Sequence, residues 1–180
     1  MLILTDPFFW AFVGMFGLVV GIALVSGTKL GQNALLGFIT IMICDLSRIL
    51  LVLPFCPQPR FQIGMWNWII GGLVLAVAMV FAAPALSINW RTAPDSRMVL
   101  KTDGIYGVVR NPIYLADVLF TLGFAIMFRS IIGVALIPIW WAAFLLLILV
   151  EEGSLERTLG QLYLDYKRQV KGRIIPGLPI

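Results

Sequence analysis

The sequence predicts an all-α fold, a polytopic membrane protein with five transmembrane helices and a cytosolic amphipathic helix at its C-terminal end. Three observations predict it. Hydrophobic residues make up 61% of the 180 residues and charged residues 12%, more apolar side chain than a soluble domain of that length buries. Five apolar runs, at 7–25, 34–55, 66–88, 113–128 and 131–150, approach or exceed the roughly 20 residues that cross a bilayer core. The basic residues are shared unevenly between the connections, as membrane topology requires.

The first run, within MLILTDPFFWAFVG and beyond, lacks the basic residues that begin a signal peptide and is long, which predicts a retained first span. Its Gly14, Gly17 and Gly21 form a small-residue face for close helix contact, within the chain or in a homo-oligomer. In the second run Asp45 and Arg48 share one helix face. A mutually neutralising pair that fixes packing is the favoured reading, and a polar cavity wall is the alternative. Trp10, Trp66, Trp68 and Trp90 stand at or near run ends, where amphipathic rings favour the interface. Asp117, one turn into the fourth run, has no partner near it in sequence, so it faces the interior or a wet cavity, with a structural or a ligand role. Only Arg129 and Ser130 separate the fourth run from the fifth, which predicts a tight helical hairpin.

Five spans place the termini on opposite sides. One side then holds Lys29, Arg91, Arg97, Lys101, Arg110, Arg157, Lys167, Arg168, Lys171 and Arg173, and the other Arg60 and Arg129. The positive-inside rule puts the first set in the cytoplasm. The expected location is therefore an inner membrane of bacterial type, with the N-terminus outside and the C-terminus cytoplasmic. The chain reads as a single domain, residues 1–98 giving three spans and 99–180 the hairpin and C-terminal helix.

Glu151 and Glu152 close the fifth run at a helix end where the dipole disfavours anions. They are either incidental acids of a solvated interfacial helix or functional ones. Leu155, Leu159, Leu162 and Tyr166 recur at helical spacing, so the fifth helix continues as an amphipathic extension, with a bend near Gly153 or Gly160. The following RIIPGLP is too proline-rich for helix and too apolar for a free tail, and folds back onto the domain or the membrane surface.

Composition also excludes. The net charge of +4 comes from loops and is a topology signal, with no nucleic-acid partner expected. The chain has no histidine, which removes the commonest general base and metal ligand. Cys44 and Cys56 form no CxxC pair, so no metal site is expected.

The stretch least like its surroundings is GIYGVVRNPIY, from Gly104 to Tyr114, a polar loop set against the fourth run. Together with the hairpin and EEGSLERTLGQLYLDYKRQVKGRIIPGLP it resembles the isoprenylcysteine carboxyl methyltransferase family and its phospholipid methyltransferase relatives. Gly104, Tyr106, Arg110, Pro112, Tyr114, Glu151, Glu152, Leu155, Gly160, Tyr163 and Tyr166 carry the resemblance, over about the last 80 residues of the chain. It implies methyl transfer from S-adenosylmethionine, in a pocket on the cytosolic face, to a lipidic or membrane-associated substrate. Gly104, Tyr106, Asn111, Pro112, Tyr114, Glu151, Glu152, Tyr163 and Tyr166 are then the expected cofactor contacts. Arg110, Arg173 and Glu152 are the expected catalytic residues, the arginines holding an anionic group of the substrate. Asn111 stands where many members have histidine, and an amide donates and accepts hydrogen bonds but does not take up or release a proton. YLAD also resembles the sterol reductases, which bind NADPH. A reductase-like NADPH protein and a non-catalytic lipid-binding module are thus the competing readings.

Overall fold

The structure, a computed structural model, describes residues 3–25, 34–92 and 100–178. Lys29 and Arg97, and the side chains of Trp90 and Arg91, lie outside this description. The described residues are helical: α1 (Pro7–Val25), α2 (Ala34–Val52), α3 (Trp66–Thr92), α4 (Pro112–Met127), α5 (Ile131–Leu159) and α6 (Gln161–Gln169), with short 3₁₀ turns at Ile3–Thr5 and Gly104–Gly107. Among them α1, α3 and α5 are long and apolar enough to cross a membrane. At 16 residues α4 is only about 24 Å long, and α2 carries the charged pair within its 19 residues. Both pack among the three long helices.

Glycines set the close crossings. The Gly14, Gly17 and Gly21 face packs on α2 of the same chain: a Cβ at Gly14 would lie 2.5 Å from Ser47 Oγ, and one at Gly17 would lie 3.4 Å from Cys44. A Cβ at Gly71 would stand 2.9 Å from the carbonyl oxygen of Gly123, so α3 and α4 approach backbone to backbone. Trp140, Phe144, Leu18 and Val118 fill the centre of the bundle, and Ile174 from the tail is fully buried with Leu115 and Ile148.

The hairpin is as tight as its sequence requires. At the end of α4 the amide of Ser130 reaches the carbonyl of Ala125 at 2.8 Å and that of Arg129 reaches Ile126 at 3.0 Å, a Schellman closure with Arg129 in the left-handed region at φ 59°. Ser130 then caps α5, its hydroxyl accepting from the amide of Gly133 at 2.8 Å. Arg60 fastens the same end. Its guanidinium donates to the carbonyls of Val52 (3.2 Å), Leu53 (2.9 Å) and Cys56 (3.3 Å) and to that of Phe128, so one side chain satisfies the C-terminal carbonyls of two helices.

At the opposite end α5 runs on through Glu151, Glu152 and Gly153 to Leu159. Its 29 residues measure about 44 Å, longer than a bilayer core is thick. The bend falls at Gly160, with φ 56°, and Gly153 is inside regular helix. That break re-phases the amphipathic pattern. Leu155 and Leu159 pack with Tyr163, Tyr166 and Val170, whereas Leu162, expected on that face, is 60% exposed. The tail folds back on the domain, as expected of its composition: the amides of Arg110 and Asn111 donate to the carbonyls of Gly172 (2.9 Å) and Arg173 (3.0 Å).

Candidate active site

A cavity of about 790 Å³ opens where the Gly104–Tyr114 loop, α4, the end of α5 and α6 meet, and it runs on between the first three helices. Its polar wall holds Lys101, Tyr106, Arg110, Asn111, Tyr114, Glu151, Tyr163 and Tyr166. Its apolar wall includes Leu18, Ile41, Met42, Leu86, Phe120, Phe144 and Leu147, with Asp45 and Asp117 set among them. A volume of this size suits a cofactor-sized molecule.

Pro112 starts α4, with its fixed φ at the first helical position. Tyr114 follows half a turn later, where its hydroxyl donates to Glu151 Oε2 at 2.7 Å. Glu151 thus reaches the cavity in a fixed orientation. Glu152 points elsewhere. It is 2% exposed, and its carboxylate receives Arg110 Nε at 2.9 Å, Arg173 Nε at 3.2 Å and the Asn111 amide at 3.3 Å, with Lys167 Nζ 3.9 Å away. Lys167 also pairs with Glu156. Arg110 is held further by the carbonyls of Val170 (2.6 Å) and Lys171 (3.0 Å), both through Nη1. Tyr166 donates to the Tyr106 carbonyl at 2.8 Å, tying α6 to the loop. Burial raises the phenols of Tyr163 and Tyr166 above their ordinary range, so both stay protonated donors at neutral pH.

Of the residues singled out by sequence, the structure therefore brings Tyr106, Arg110, Asn111, Pro112, Tyr114, Glu151, Tyr163 and Tyr166 to one cavity. Gly104, Glu152 and Arg173 are not in its wall. Gly104 opens the 3₁₀ turn at φ 58°, a conformation that favours glycine. Glu152 and Arg173 stand behind the wall and bind each other.

Asp45, Arg48 and Asp117 form one cluster. Arg48 Nη2 donates to both oxygens of Asp117, at 2.7 and 2.8 Å, and to Asp45. Its Nη1 reaches Thr121 at 3.2 Å, and its guanidinium lies 5.0 Å from the centre of the Phe144 ring and 5.6 Å from that of Trp140. The expected Asp45–Arg48 pair is present and Asp117, which lacked a partner in sequence, completes it. The unequal charge count was the available signal: two acids and one base in buried helix faces have to meet. Lys167 gave no such signal, because its closeness to Glu152 depends on the reversal at Gly160.

Residues 66–162 match the phospholipid methyltransferase family. The match covers more than half of the chain, from the start of α3 to the first turn of α6, so it begins earlier than the resemblance read from the last 80 residues and stops before Tyr163, Tyr166 and Arg173. No curated protein and no solved structure matches the chain.

Proposed function

The chain belongs to the phospholipid methyltransferase family, and from that premise we propose that it is an S-adenosylmethionine-dependent methyltransferase acting at the cytoplasmic membrane face on a lipidic or membrane-associated substrate. The observation that carries this reading is the Tyr114–Glu151 pair, a carboxylate fixed at 2.7 Å from a phenol and set in a cavity that also presents tyrosines, the Asn111 amide, Arg110 and apolar side chains.

The donor set fits the cofactor. Glu151 accepts from an ammonium or from ribose hydroxyls, and Tyr106, Tyr163 and Tyr166 offer aromatic surface to an adenine or a cationic sulfur. Arg110 lines the cavity while Nε and Nη1 are engaged on Glu152 and the tail. Its Nη2, which has no hydrogen bond among the described residues, is the donor for a carboxylate of the cofactor or an anionic group of the substrate. S-adenosylmethionine supplies an already activated methyl group, so the chemistry asks the protein for alignment and charge more than for a strong base. The lack of histidine is consistent with that. Asn111 orients by hydrogen bonding, Glu152, itself bound by Arg173, holds Arg110 in place, and the apolar walls keep water from the acceptor.

The same reading takes α2 and α4 as spans beside α1, α3 and α5, with the N-terminus outside and the site in the cytoplasm. The described basic residues support it: Lys101, Arg110, Arg157, Lys167, Arg168, Lys171 and Arg173 lie at the site end of the bundle, and Arg60 and Arg129 at the hairpin end. Asp117, the residue behind the reductase reading, is engaged by Arg48.

Calorimetry on the purified protein tests the assignment. Glu151→Ala and Tyr106→Ala are expected to weaken S-adenosylmethionine binding by about tenfold or more, the scale of one charge-assisted hydrogen bond. Unchanged affinity in both variants sinks the site, and thermal stabilisation by NADPH with none by S-adenosylmethionine reverses the reading.

A further inference from the structure

We infer that the hairpin end of the bundle holds a second site, a headgroup pocket for an anionic phospholipid in which Arg129 donates hydrogen bonds to the phosphate and Arg60 adds positive charge. The inference is independent of the methyltransferase reading and of every residue in the cavity described above. A pocket of about 360 Å³ lies where the 53–65 connection meets the turn between α4 and α5, with Arg60, Asn67, Trp68, Phe128 and Arg129 among its walls. Its frame is tied together. The amide of Phe61 donates to the Arg129 carbonyl at 3.1 Å and that of Ile131 to the Pro59 carbonyl at 3.2 Å, while the buried Asn67 donates through its side chain to the Met127 carbonyl. No carboxylate of the described residues lines the pocket. Asp6, the acid at this end of the bundle among the described residues, accepts from the Phe8 amide at 2.8 Å. Neither arginine takes part in an ion pair among the described residues.

The two guanidiniums play different parts. The terminal nitrogens of Arg60 are occupied by four carbonyls, so it brings charge and no further bond. Burial lowers the Arg60 pKa and the nearby charge of Arg129 lowers it further, yet a guanidinium stays protonated at physiological pH. Arg129 meets Gln62 Oε1 through Nη1 at 3.4 Å, and its Nε and Nη2 have no hydrogen bond among the described residues. Arg129 is also the one non-glycine with a positive φ among the described residues. Glycine takes that position of a Schellman turn without strain, and strain kept for a side chain points to a use for it. The surroundings identify the ligand. Met65, Trp66 and Trp68 are 75%, 61% and 57% exposed, and Trp66 begins α3, a helix long and apolar enough to cross a membrane. The pocket therefore lies at headgroup depth, where indole rings settle and lipid phosphates stand. A zwitterionic headgroup brings an ammonium to two guanidiniums and no acid, whereas an anionic one brings phosphate charge with no cation.

Photolabelling tests the site. The probe is a trace of phosphatidylglycerol with a diazirine beside its glycerol backbone, in nanodiscs of either phosphatidylcholine or phosphatidylglycerol. Peptide mapping reads labels on Met65 and Trp68, and labels on Arg168 and Lys171 at the other end of the bundle serve as the control. In the wild-type protein, labelling of Met65 and Trp68 is expected to be about tenfold higher in the phosphatidylcholine host, where no anionic lipid competes, the scale of one charge-assisted hydrogen bond. Arg129→Gly is expected to make the two hosts equal at Met65 and Trp68 and to leave the control as in the wild type. Its Tm in detergent is expected at or above the wild-type value, because glycine relieves the left-handed residue. Arg129→Asn, which also tolerates that conformation, is the second variant, and Arg129→Lys is expected to keep part of the host difference. Equal wild-type labelling in the two hosts, or a host difference that survives Arg129→Gly and Arg129→Asn, overturns the site. Loss of the label to inorganic phosphate, at an ionic strength matched with chloride, overturns the lipid assignment in favour of a soluble anion.

Discussion

Glu151 and Glu152 are neighbours in sequence with opposite tasks in the structure. Because α5 continues through them, their side chains diverge by about 100° around the helix. One meets Tyr114 at the cavity, and the other is enclosed by Arg110, Arg173 and Asn111. Substitution should separate them. Glu152→Ala leaves two arginines without their carboxylate, and Arg110 is buried, so a loss of about 3–5 kcal/mol is expected, read as a lowered Tm in detergent. Glu151→Ala should leave Tm close to that of the wild type and weaken the cofactor. Equal thermal losses in the two variants would remove the distinction. The sequence marks both acids as needing an explanation, since a positive-inside helix end disfavours them. It does not mark which one faces the cavity, because that depends on where the tail returns, and the return is a tertiary contact. Asp117 is the same case, its partner lying 69 residues away on another helix.

At the level of elements, α6 and the tail act as a strap over the site. Tyr166 holds the Tyr106 carbonyl, the carbonyls of Val170 and Lys171 hold Arg110, and Ile174 fills a core position beneath. A chain ending at Gln169 should therefore lose both thermal stability and S-adenosylmethionine affinity, whereas one ending at Leu178 should lose neither. Unaltered affinity in the shorter chain would show the strap to be dispensable. The hairpin was legible in advance, since two residues between apolar runs leave the chain no other course. The phase of α6 was not. Helical spacing alone carries Leu162 onto the buried face, but Gly160 at φ 56° interrupts the count, and Tyr163 takes that place.

The whole molecule has two unlike ends. Site, strap and most of the described basic residues share one, and the hairpin with Arg60 and Arg129 forms the other. Single cysteines in a background with Cys44 and Cys56 replaced test the orientation. An Arg168→Cys thiol should react with an impermeant reagent only from the cytoplasmic side, and a Gln62→Cys thiol only from the outside; the reverse pattern would invert the topology. The Arg60 guanidinium then has a mechanical meaning. By binding carbonyls at the ends of both α2 and α4 it makes the hairpin end a pivot. Helices pinned at one end can separate only by splaying at the other, so any widening of the bundle would be greatest where the cavity lies and least at its foot.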